Sequence, residues 1–255
     1  MPSQEYLEEL AENIENMEVG LDHAFKFKCH GCGKCCKNRE DILLTSRDLY
    51  NIAKCLKMKT TEVIDKYCEL YIGGNSRLPI IRLKPVGQNK KCPLLQEKRC
   101  IVHTSKPVVC ALFPLGRFVM FDNVDLDNAN ENDLIVRYLV NPVECGGHRN
   151  NTVRSWIESF GIDPDDRWYR LWTMTTMRLG NYVRNLETSE KKLPKAAFDA
   201  IWTISIELLY ARYDIEKEYE SQFEANLAEM RRMLHRLDTE LIQPFLSGKP
   251  LPQVS

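Results

Sequence analysis

All ten cysteines of this chain lie between Cys29 and Cys145, and the last 110 residues contain none. Four of them fall within eight residues, Cys29-x2-Cys32-x2-Cys35-Cys36, with His30, Gly31, Gly33 and Lys34 between them. Thiols set among glycines and a lysine make a poor hydrophobic core. Disulfides are not expected either, because Met1 to Met17 is acidic and amphipathic and does not read as a secretory leader. The segment therefore reads as a metal-binding loop. Thiolates two residues apart across a tight turn converge on one ion or on neighbouring corners of one cluster. Glycines between them supply the turn and leave backbone N–H groups free to bond sulfur. With so little apolar material, the loop has no reason to adopt one structure without metal.

Downstream lie Cys92-Pro93, then Cys100, then Cys110 in Cys110-Ala111-Leu112-Phe113-Pro114, and finally Glu144-Cys145-Gly146-Gly147-His148. Three cysteines joined by two Cys-x2 steps, with a remote Cys-Pro, echo the ferredoxin run, in which Cys29, Cys32, Cys35 and Cys92 would take the four positions. The candidate metal ligands are Cys29, Cys32, Cys35, Cys36, Cys92, Cys100, Cys110 and Cys145. Cys55 and Cys68 sit on the apolar faces of two predicted helices and read as core packing. Cys100-x2-His103 and Cys145-x2-His148 have zinc spacing, but the two histidines read as neighbours of the site or surface residues. Eight thiolates exceed the needs of one zinc, and an all-sulfur supply suits an iron–sulfur cluster, with [4Fe–4S] expected and zinc as the alternative.

These residues resemble a known family. Cys29-x2-Cys32-x2-Cys35-Cys36, Cys92-Pro93-Leu94-Leu95, Cys100-Ile101-Val102-His103, Lys106-Pro107-x2-Cys110 and Phe113-Pro114 are similar to the YkgJ-type cysteine-cluster family, a zinc- or iron-chelating CxxCxxCC domain. The resemblance covers roughly Phe27 to Arg154. The family commonly has Tyr near His103 and Arg at the position of Lys106. A similar domain occurs in flagellin lysine-N-methylases, which implies a [4Fe–4S] cluster beside S-adenosylmethionine as one expectation. Independent support for that cofactor is missing. No glycine-rich fingerprint follows a strand, and the run Cys32-x3-Cys36 has Arg39 where a radical-type third cysteine would stand.

The fold class expected is α+β, mainly helical with a small irregular β element. Residues 1–150 would form the cysteine-cluster metal-binding domain and residues 151–255 a helical domain. Leu7, Leu10, Ala11 and Ile14 predict an opening helix. Thr45 or Ser46 would cap a helix bearing Leu49, Ile52, Ala53 and Leu56, and a second would follow Thr60 with Val63, Ile64, Tyr67 and Tyr71 as its stripe. Runs at 80–83, 117–121 and 134–140 are β-prone and separated by Pro, Gly and Asn. Thr152 would cap a helix running to Phe160 and ended by Gly161. Asp163-Pro164 reads as a cap and first position for the helix of Trp168, Leu171, Trp172, Thr175, Leu179, Tyr182, Val183 and Leu186. Two more helices would follow Pro194, carrying Phe198, Ile201, Trp202, Leu208 and Leu209, then Ile215 through Leu241. Their aromatic and methionine stripes read as core. Glu216 to Glu220 reads as a solvated helix face.

Net charge is −1, so there is no electrostatic case for nucleic acid or an anionic membrane. No apolar run approaches the roughly 20 residues that span a bilayer. The expected location is the cytoplasm. No hydrolytic constellation stands out. Arg117 could face an anion near the cluster, but reads as a surface residue. Three functions are consistent with these residues: an iron–sulfur or zinc cluster-binding protein of undefined activity, with electron or cluster transfer as its options, an S-adenosylmethionine-dependent protein lysine methyltransferase with an iron–sulfur cluster, and a zinc-stapled module that binds a protein partner.

Overall fold

The computed structural model describes residues 17–120, 128–143 and 145–248. The opening helix expected around Leu7 to Ile14 lies outside them. The fold is α+β, with short strands in four small sheets. Strands β1 (Glu18–Val19), β7 (Leu115–Met120) and β8 (Ile135–Val140) make an antiparallel sheet in the order β1-β8-β7. β2 (Ala24–Lys28) pairs with β9 (Gly147–Thr152), β3 (Cys68–Ile72) with β4 (Pro79–Leu83), and β5 (Leu95–Gln96) with β6 (Arg99–Cys100). Of the runs read as β-prone at 80–83, 117–121 and 134–140, the first falls in β4, residues 117–120 of the second in β7 and 135–140 of the third in β8, with β4 in a different sheet from β7 and β8. β2 alternates, burying Phe25 and Phe27 and exposing the residues between.

Thr45 caps α1 (Ser46–Leu56) in a capping box with Asp48, and Leu49, Ile52 and Ala53 are buried along it. Helix α2 (Thr60–Tyr67) stops before Cys68. The chain then turns into β3, so Tyr71 is an exposed strand residue facing Ile80 across the hairpin, not the end of a helical stripe. Helix α3 (Val108–Leu112) is a single short turn, and the Phe113–Pro114 peptide after it is cis. Thr152 caps α4 (Val153–Glu158).

Asp166, not Asp163, caps α5 (Arg167–Glu187), its carboxylate accepting from the Trp168 and Tyr169 amides. Asp163 is used one turn earlier, where it accepts from the Asp165 amide. Helix α6 (Lys195–Ile206) runs on through a π turn at Glu207–Ala211. Helix α7 (Tyr219–Leu237) continues through a second π turn into α8 (Gln243–Leu246). Ile215 therefore precedes α7, Leu241 is exposed, and residues 214–218 form a turn instead of a solvated helix face.

The largest core cluster draws on both sides of residue 150. Leu49, Ile52, Val63, Ile81, Leu94 and Val102 share it with Val183, Ile201, Leu208, Phe223 and Ile242. The aromatic stripes are spent inside it: Tyr213, Tyr219 and Phe223 stack in succession at 5.6 and 5.5 Å. A second, smaller core gathers Phe25, Phe27, Leu112, Leu115, Tyr138, Val153, Trp156 and Ile157. It forms the wall behind the cysteine loops.

Candidate metal centre

Cys29 and Cys32 extend from the end of β2, and Cys35 and Cys36 lie on a single tight turn, Lys34–Cys36. The Cys92 amide donates to the Cys36 carbonyl at 2.8 Å, which stitches the second cysteine segment to the first. Cys100 closes the β5–β6 hairpin and Cys110 stands in the middle of α3. Cys145 comes in from the start of β9, because Lys28 pairs with Gly147 in the β2–β9 register. That turn needs a bare Cα at Gly146, and Gly147 leaves room for the His30 ring. A Cβ on Gly146 (φ 99°) would stand 2.5 Å from the Phe27 ring, and one on Gly147 would stand 2.5 Å from His30 Nε2.

All eight candidate cysteines line one cavity of about 340 Å³. Cys55 and Cys68 do not line it; both belong to the main core, Cys68 buried at the start of β3 and Cys55 half-buried on α1. His103 is on the cavity wall and His148 is not, while His30 lies between the first two thiols. Cys29 and Cys32 are exposed and the other six are half-buried. Among the described residues the wall carries four cations, Arg39, Lys98, Arg99 and Lys106, and no carboxylate.

Local backbone geometry already serves sulfur. The Gly31 amide donates to Cys29 Sγ at 3.4 Å. The Leu94 and Leu95 amides beside Cys92, and the Val102 amide beside Cys100, each act to lower the thiol toward its thiolate. Donors of this kind stabilise a thiolate and orient it as a ligand. Burial acts in the opposite direction. It raises the thiols of Cys92 and Cys100 and pushes Cys110 up to about 12. Cys35 and Cys36 are in contact, Sγ to Sγ 3.9 Å. Their hydrogen bond holds the Cys35 thiol down and drives that of Cys36 up.

The donor set fits a thiolate-bound metal centre. Thiols this crowded and this buried ionise together only if a cation offsets them. Among the described residues, however, no three metal-ligating side chains meet closely enough to hold one ion as they stand. A cavity on the order of ten water volumes also exceeds what one bare ion fills.

Asp48 was not legible as part of this site. Its carboxylate is buried and accepts from the Thr45 amide at 2.9 Å and the Thr45 hydroxyl at 2.8 Å. It also accepts from the Val108 amide at 2.8 Å, which ties the start of α1 to the helix of Cys110. Burial raises this carboxyl, opposed by those three donors and by Arg117. Thr45-x2-Asp48 is visible in the sequence as a cap; its second bond is a tertiary contact. Arg117 is a further correction. It is neither on the surface nor at the cavity, but buried in an ion pair with Asp166 at 3.0 Å and lying 3.7 Å over the Tyr169 ring.

The family resemblance is met over this segment. Residues 28–135 match the CxxCxxCC family, described as a "putative zinc- or iron-chelating domain". Seven of the eight cavity cysteines, Cys29 to Cys110, fall inside the match, and Cys145 lies beyond it. An uncharacterized protein of Methanocaldococcus jannaschii is 30% identical over 106 residues, which are 40% of this chain and 53% of that protein. The chain thus spans about half the length of that relative. No solved structure matches. Among the described residues, no helix is long and apolar enough to cross a membrane.

Proposed function

We propose that the cavity holds an iron–sulfur cluster and that the protein works in electron or cluster transfer. One observation carries this reading: eight thiols from four separate stretches of chain face one cavity, whose wall has no carboxylate among the described residues. An all-thiol set selects soft metal centres over oxygen-loving ions. Cys29, Cys32, Cys35, Cys36, Cys92, Cys100, Cys110 and Cys145 are the residues that would supply the ligands. Bound there, such a cluster supplies one-electron chemistry. The chain's own part is to orient the thiolates through the amides of Gly31, Leu94, Leu95 and Val102, and to shield them behind Phe27, Phe113 and Trp156.

A zinc site is the second reading, favoured by the Cys35–Cys36 spacing. Sulfurs around one zinc, at Zn–S about 2.3 Å in a tetrahedron, stand roughly 3.8 Å apart, and these two stand at 3.9 Å. His30 and His103 on the wall would suit zinc as well.

Anaerobic purification with iron, sulfide and zinc quantified decides between them. Iron and sulfide in equal amounts with broad visible absorption are expected; a colourless protein with stoichiometric zinc would replace the first reading by the second. S-adenosylmethionine added to the same holo-protein tests the methyltransferase expectation, which predicts saturable binding.

A further inference from the structure

The hairpin that carries Cys100 has an unusual tip. Its two-residue turn is Glu97-Lys98, with φ of 44° and 66°, where the type I′ turn prefers Asn and Gly. Side chains rarely tolerate the left-handed region, and such positions concentrate at ligand clamps. Here they bring Lys98 and Arg99 to the wall of the thiol cavity. Neither side chain nor Lys106 on the same wall makes an ion pair among the described residues, and Lys106 lies over the Phe160 ring at 4.7 Å. Arg39 is matched by Asp41.

Were four of the eight thiols to ligate one divalent ion as thiolates, that site would carry two net negative charges, fewer than the three positive charges of Lys98, Arg99 and Lys106. Beside the thiols, His30 and His103, the cavity has an aromatic and aliphatic wall, with Phe113, Trp156 and Leu95 on it. A concave, largely apolar space with a few convergent charges is the general form of a small-molecule site, and a cationic mouth with low-dielectric walls concentrates anions.

We infer that the mouth of the cavity binds a small organic oxyanion: a carboxylate or phosphate held by Lys98, Arg99 and Lys106, with an apolar body against the aromatic wall. This rests on the metal-centre reading only for what lies beneath the ligand; the cations and the cavity stand without it.

The test is titration calorimetry on the protein as purified, with benzoate and phenyl phosphate as probes that share a body and differ in the acid. Saturable one-to-one binding of at least one probe is expected. It should weaken at least tenfold in Lys98→Gln/Arg99→Gln, with metal content and far-UV circular dichroism unchanged. The preferred probe identifies the acid. Both substitutions are on an exposed hairpin, and Lys106→Gln provides an independent variant expected to weaken binding in the same way. Absence of saturable binding by either probe overturns the inference, as does equal binding by wild type and both variants. Metal content, measured on the same samples, separates this outcome from a failure of the metal reading.

Discussion

A thiol that burial holds protonated must lose its proton before it can ligate, so metal uptake here releases protons. Cys92, Cys100 and Cys110 are all raised by burial, and Cys110 sits at about 12 against an ordinary 9.0. Competition with a chromophoric chelator should therefore show affinity climbing steeply from pH 6 to pH 8. The metal-free chain has the opposite dependence. A thiol raised in the folded state contributes stability in full below its unfolded value, and that contribution is lost as pH rises through the folded one. Thermal unfolding of metal-free protein is expected to shift downward from about pH 9 toward pH 12. Individual replacement sorts the ten cysteines. Cys32→Ser, Cys35→Ser and Cys110→Ser should each strip the metal, while Cys55→Ser and Cys68→Ser should retain it, as elemental analysis of the purified variants would show. The sequence separates these two groups because Cys55 and Cys68 lie in apolar periodicity and the other eight lie among Gly, Pro and Lys.

Between elements, Asp48 joins α1 to the Cys110 helix through the Val108 amide. Asp48→Ala removes the acceptor for that amide and for the Thr45 hydroxyl at once. Stranded buried donors cost about 1–3 kcal/mol each, so a loss of about 2–4 kcal/mol is expected in urea unfolding. Metal retention should fall with it, because α3 loses its anchor. Gly146→Ala strikes the other side of the site. Its Cβ would press on the Phe27 ring at a φ of 99°, and the expected result is faster alkylation of Cys145 with the far-UV spectrum preserved. Helix caps at Thr45 and Thr152 were readable because they depend on residues three apart. The β2–β9 pair was not, because Gly147-His148-Arg149-Asn150-Asn151-Thr152 has no alternation of its own and is a strand only by virtue of its partner. Asp163-Pro164 misled for a local reason: Asp166 offers the same cap three residues later, where Arg117 and Arg47 also reach it.

At the scale of the molecule, the change from cysteine-rich to helical composition near residue 150 coincides with no gap in the main core, which joins Leu49 and Ile81 to Leu208 and Phe223. A fragment of residues 1–150 would expose the apolar face that α5 to α7 cover. It is expected to be insoluble or protease-sensitive where the full chain is resistant. Phe223→Ala, at a fully buried position, should cost about 3–5 kcal/mol and, by loosening α1, lower metal retention as well.

The four stretches that meet at the cavity begin at Cys29, Cys92, Cys110 and Cys145, with long excursions of chain between Cys36 and Cys92 and between Cys110 and Cys145. A centre bonded to several of them is a crosslink in the polymer sense, a junction of high functionality in a very small network. Closing one loop costs the unfolded chain entropy that grows only slowly with loop length, whereas a junction closes several loops in a single event. Extraction of the metal should therefore release the loops as one cooperative unit and leave slack distributed across more than a hundred residues.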